Sequence, residues 1–115
     1  MTKELLKYRL LLPPEIEVQI HRAEADGFWA KVKTFPGVVA QGEDILDLIE
    51  MVNVAILDYL EVPQKLRKFL SRYEPRLSSR DFKRIVENYR YKQIESIITN
   101  IIQDSAMIRF GKVAA

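Results

Sequence analysis

Cysteine is absent from the 115 residues, and histidine occurs once, at His21. The first absence excludes a disulfide framework, thiolate metal sites and a cysteine nucleophile, and it fits a reducing, cytoplasmic setting. The second excludes a metal centre built from several histidines. No apolar run approaches the roughly 18 residues of a membrane span, so no membrane partner is expected. The opening MTKELLKYRLLL lacks the long apolar core and cleavage site of a secretory leader. Glycine is scarce: there are four, and two of them, Gly37 and Gly42, fall within FPGVVAQGED at residues 35–44. Glycine costs conformational entropy and is placed where the backbone needs a positive φ or a close approach.

What is present is enough for one packed domain: 48% of the residues are hydrophobic and 30% charged. The net charge of +2 hides a strong asymmetry. Residues 1–63 hold 6 Lys/Arg against 11 Asp/Glu, whereas residues 64–92 hold 10 against 3. An acidic globular part therefore precedes a basic segment, which either has a separate task or is attracted to the acidic part.

The stretch EIEVQIHR alternates, with Ile16, Val18 and Ile20 on one face and Glu15, Glu17, Gln19 and His21 on the other. That is the pattern of a half-buried antiparallel strand. Asp26-Gly27 predicts a type I′ hairpin turn. A return strand over residues 28–33 follows, with Phe28, Ala30 and Val32 on one face. Pro36-Gly37 suits the centre of a type II turn and leads into a short strand at residues 38–41. Upstream, residues 8–12 read as a further strand or an arm, stopped by Pro13-Pro14.

From Asp44, a plausible N-cap, the period changes to about 3.6. Ile45, Leu48, Ile49, Val52, Ile56, Tyr59 and Leu60 form one stripe, and the helix is expected to run to about Glu61, before Pro63. Leu46, Met51 and Leu57 widen its apolar arc beyond what one sheet covers. They are the candidate partner-binding residues.

Residues 64–73 read as a second, basic helix. Ser78 or Ser79 then caps another, with Phe82, Ile85, Val86 and Tyr89 as its stripe, and isoleucines continue helical spacing to Ile102. AMIRFGKV at residues 106–113 is β-prone and reads as a last strand returning to the sheet. The expected class is α+β: a three- to four-stranded, mainly antiparallel sheet packed by a helix. It divides into residues 1–63, a basic helical region at 64–105 and a final strand within 106–115.

No catalytic constellation emerges, and the chain reads as a non-enzyme. Asp26, Glu43, Asp44 and Asp47 are close in sequence but have turn and capping roles. His21 reads as a solvated residue on a polar face, with no nucleophile motif beside it. Gly37 and Gly42 do not form a phosphate loop, because Glu43-Asp44 follows where Lys-Ser/Thr would be needed. The basic segment, interleaved with Phe69, Tyr73, Phe82, Tyr89 and Tyr91, offers Arg72, Arg76, Arg80, Lys83 and Arg84 as candidate nucleic-acid contacts. Its bland alternative is a solvated helical face.

An ordered set of short signatures runs through the first half: Asp26-Gly27-Phe28, Pro36-Gly37, Gln41-Gly42-Glu43 and Asp58-Tyr59-Leu60-Glu61. With these, residues 16–61 resemble the HicB-like antitoxin family. The resemblance covers 46 of the 115 residues. It implies a partial ribonuclease-H-like fold without nuclease activity, no cofactor, and homo-oligomerisation. It also implies a small basic protein as partner, a HicA-type mRNA-cleaving toxin. Many such proteins carry a C-terminal DNA-binding module that represses their own operon, which makes DNA a further candidate partner. Two features depart from the pattern. Val38 stands where the family often has cysteine, and the C-terminal region matches neither a ribbon-helix-helix nor a helix-turn-helix. The alternatives are a nucleic-acid-binding regulator acting through residues 64–92, and an orphan homo-oligomeric scaffold. PRLSSRDFKRIVENY (residues 75–89) faintly resembles the opening helix of the toxin itself, but no catalytic histidine follows it.

Overall fold

A computed structural model describes residues 2–76, 99, 102 and 105–113. Its elements are α1 (Lys3–Leu11), β1 (Glu15–Arg22), β2 (Phe28–Val32), β3 (Val39–Gly42), α2 (Ile45–Tyr59), α3 (Gln64–Arg67), β4 (Arg72–Pro75) and β5 (Ser105–Val113). The class is α+β, as expected, but the sheet has five strands rather than three or four. Their order is β3-β2-β1-β5-β4, and every neighbouring pair is antiparallel.

The core lies between one sheet face and α2. Ile16, Val18, Ile20, Ala30, Val32, Ile108 and Phe110 point inward from the strands, against Ile45, Leu48, Ile49, Val52 and Ile56 of the helix. Each large aliphatic side chain buried there contributes roughly 1.5–3 kcal/mol. The last strand, expected at residues 106–113, forms at Ser105–Val113 and is inserted beside β1, with Val18 opposite Ile108 and Ile16 opposite Phe110.

Three expectations are corrected. Residues 8–12 belong to a helix, not a strand or arm. Thr2 caps α1 by accepting the Leu5 N–H (3.1 Å), and the spacing Leu5, Tyr8, Leu12 buries one side of it. The β1–β2 connection is not a two-residue type I′ turn. The Ala23 N–H donates to the Gly27 carbonyl (3.0 Å), and Gly27 has positive φ whereas Asp26 does not. Residues 64–73 are not one helix: α3 stops at Arg67, and the chain re-enters the sheet as β4. The helices expected between residues 78 and 102 lie outside the described residues, except for Thr99, which is helical, and Ile102, which is buried.

The joint FPGVVAQGED is now explicit. The Val38 N–H donates to the Phe35 carbonyl (3.1 Å) across Pro36-Gly37, and Gly37 has φ +91°, as a type II turn requires. Gly42 serves differently. A Cβ there would collide with the backbone of Leu48, so this glycine lets the first turn of α2 lie directly on the end of β3. Asp44 accepts the Asp47 N–H (2.7 Å), and the Asp47 carboxylate accepts the Glu43 N–H (2.9 Å), so the helix start is capped reciprocally.

The far end of α2 closes in a Schellman motif. The Val62 N–H donates to the Leu57 carbonyl and the Glu61 N–H to that of Asp58, both at 3.0 Å, with Glu61 at φ +55°.

Candidate partner-binding surface

The signature triplets read from the sequence converge at one end of the sheet. Phe28 stands opposite Gly42 and Trp29 opposite Gln41, while a Cβ on Gly27 would meet the Gly42 carbonyl. The hairpin tip, the end of β3 and the start of α2 thus enclose a hollow of about 390 Å³. Its walls include Phe28 and Trp29, and Asp26, Glu43 and Asp47 give it acidic character. The N-terminal end of α2 opens beside it. Tyr59 lies elsewhere, its ring 5.8 Å from that of Phe35, the residue before Pro36-Gly37.

The three residues expected to widen the apolar face of α2 are not brought together. Leu46 and Leu57 are half-buried against the core. Met51 is exposed and lines an open cleft of about 600 Å³ beside β3, with Val39, Val54 and Ala55. Leu57 lines a separate cleft of about 450 Å³ on the other flank of the helix, where Arg67, Lys68 and Arg72 of the basic segment gather.

That basic segment, as far as residue 76, lies on its own acidic neighbours. Arg67 pairs with Asp58 (2.9 Å), Arg72 with Glu50 (2.8 Å), and Arg76 stands 3.9 Å from Glu15. Two of the candidate nucleic-acid contacts, Arg72 and Arg76, therefore each face a carboxylate of this chain. The other three, Arg80, Lys83 and Arg84, lie outside the described residues.

His21 is not the solvated residue expected. It is half-buried, its ring stacked on Trp29 at 4.1 Å with 14° between the planes, and its Nε2 is buried without a hydrogen-bond partner. Among the described residues no three His, Asp or Glu side chains are grouped as metal ligands, and no helix is long and apolar enough to cross a membrane.

Sequence reasoning overlooked Asn53 and gave Tyr73 no role beyond that of an aromatic within the basic segment. Asn53 is the one buried polar side chain among the described residues. Its signal was available, a lone amide within the apolar run MVNVAIL. Tyr73 is fully buried, its hydroxyl donating to the Pro13 carbonyl (2.6 Å), and burial pushes its phenol well above the usual range.

No family model, curated protein or solved structure matches this chain.

Proposed function

We propose that this chain is a non-enzymatic binding protein of the antitoxin type, which neutralises a small basic HicA-like mRNA-cleaving toxin. The observation that carries the reading is the hollow at the hairpin tip. Aromatic walls from Phe28 and Trp29 beside Asp26, Glu43 and Asp47 offer an apolar anchor within a negative field. A cationic RNA-binding protein is complementary to that field, which favours fast and selective association. The residues forming the hollow include those that carry the family resemblance, Asp26, Gln41 and Gly42 among them.

The test is co-expression with the product of the adjacent reading frame. A stable complex is expected, and the paired change Asp26→Lys with Glu43→Lys should weaken it at least tenfold. A chain that purifies alone from such co-expression would sink the reading.

A self-packed scaffold is the second reading, favoured by the pairs Arg67–Asp58 and Arg72–Glu50, which spend part of the basic segment inside the molecule. It expects residues 64–76 to resist limited proteolysis without any ligand, and rapid cleavage there would count against it.

A further inference from the structure

The two edges of the sheet are finished differently. In β4, the hydrogen bond from the Arg76 N–H to the Arg109 carbonyl (2.7 Å) fixes which residues face β5. By the alternation of an antiparallel ladder, Tyr73 and Pro75 turn their backbone groups outward. The Asn53 side chain bonds the N–H and C=O of Tyr73 (2.7 and 2.9 Å), and Pro75 has no N–H, so no unpaired donor faces outward from these two residues. In β3, the bond from the Val32 N–H to the Val38 carbonyl (3.0 Å) directs Val38, Ala40 and Gly42 toward β2. Val39 and Gln41 therefore present their backbone groups outward, and no side chain or loop among the described residues satisfies them. An open edge of this kind is a template for pairing. Beside it stand exposed Val39 and Met51 and half-buried Ala55.

We infer that the β3 edge pairs with β3 of a second copy of this chain, antiparallel about a two-fold axis through Ala40, to give one continuous ten-stranded sheet. The outward residues fit this register without remainder. Val39 of each copy exchanges both bonds with Gln41 of the other, and the small Ala40 meets its own copy in the non-bonded position on the axis. Charge favours the same arrangement. Lys31 and Lys33 lie beside the N-terminal end of β3 and Glu43 at its C-terminal end, and neither Lys33 nor Glu43 has an ion-pair partner among the described residues. An antiparallel copy brings the basic end of one strand to the acidic end of the other, whereas a parallel copy would set like beside like. On the helix side of the sheet the two α2 helices meet, covering Met51 and Ala55. The inference is independent of the toxin reading, since the chain alone suffices.

Sedimentation of the purified chain tests it, with four variants at exposed or small positions. The unmodified chain is expected to be a dimer. Val39→Lys with Gln41→Lys sets lysines directly opposite each other and should give monomers. Val39→Lys with Gln41→Glu restores opposite charges across the axis only if residue 39 meets residue 41, and should remain dimeric. Ala40→Cys provides the one thiol in the molecule. In a non-bonded antiparallel pair the Cα atoms stand about 4.5 Å apart, within the disulfide range of about 4.4–6.8 Å. Oxidation should therefore link it into covalent dimers while Glu24→Cys stays monomeric. A monomeric unmodified chain overturns the inference. So does a dimer that survives the double lysine change, or one lost equally in the lysine–glutamate variant.

Discussion

The side chain of Asn53 pairs with the backbone of Tyr73 as a strand residue would. Tyr73 donates its N–H to Asn53 Oδ1 at 2.7 Å, and Asn53 Nδ2 donates to the Tyr73 carbonyl at 2.9 Å. The second amide hydrogen goes to the Ile49 carbonyl, also at 2.9 Å. One helical residue thus satisfies the outer edge of β4 and ties it to α2. The arrangement is stabilising because all these groups are buried, and a buried polar group without a partner costs about 1–3 kcal/mol.

Replacing Asn53 with alanine is expected to leave the Tyr73 N–H and C=O buried and unpaired. Stability should fall by about 2–4 kcal/mol, read as a lower urea midpoint with an unchanged slope. A loss below about 0.5 kcal/mol would mean that water or a repacked neighbour replaces the amide.

Tyr73 makes stability depend on alkaline pH. Its phenol is pushed up by burial, above an unfolded value of about 10. Above that pH the unfolded chain has released the proton and the folded chain retains it, so the folded state binds more protons. Stability is full below the unfolded value and falls as pH rises beyond it. Tyr73→Phe should abolish this alkaline slope. At neutral pH it should cost about 1 kcal/mol for the lost bond to Pro13. Denaturant melts between neutral pH and pH near 11 would show both effects.

The two glycines of FPGVVAQGED should respond differently to alanine. At Gly37 a Cβ meets open space, so only the positive φ is penalised, at about 1 kcal/mol. At Gly42 the Cβ runs into the backbone of Leu48, and α2 must shift on the sheet, at about 2–3 kcal/mol. Equal melting temperatures for the two variants would contradict this ordering.

Glu61 occupies the left-handed position that ends α2, at φ +55°. Glutamate gains nothing there from its side chain, which is exposed and has no ion-pair partner among the described residues. Glu61→Gly is expected to stabilise the protein by about 0.5–1 kcal/mol, measured as a rise in melting temperature.

The legible parts of the fold were those governed by local rules. The alternation of EIEVQIHR, the type II turn at Pro36-Gly37, the Asp44 cap and the α2 stripe from Ile45 to Ile56 all form as read. Errors arose where distant partners overrode local pattern. Residues 72–73 read as the tail of a basic helix, yet β5 on one side and Asn53 on the other draw them into the sheet. The apolar start LLKYRLLL is compatible with strand or helix, and the Thr2 cap with the burial of Leu5, Tyr8 and Leu12 decides for helix. The candidate site was half-visible: the signature triplets were in hand, but their meeting around one hollow depends on β2–β3 register. His21 was misread because alternation assigns a face, not the ring of Trp29 stacked across it.

By itself the sequence determined the α+β class, the first three strands, the helix they carry and the division of charge, because each depends on periods and caps only a few residues long. The tertiary structure alone decided that the last strand lies beside the first, that part of the basic segment neutralises Asp58 and Glu50, and that one sheet edge is closed while the other stays open. Those outcomes require contacts between residues nine to ninety-six positions apart, and such pairings are selected by the burial and hydrogen-bond satisfaction of the whole sheet rather than by the local preference of either segment.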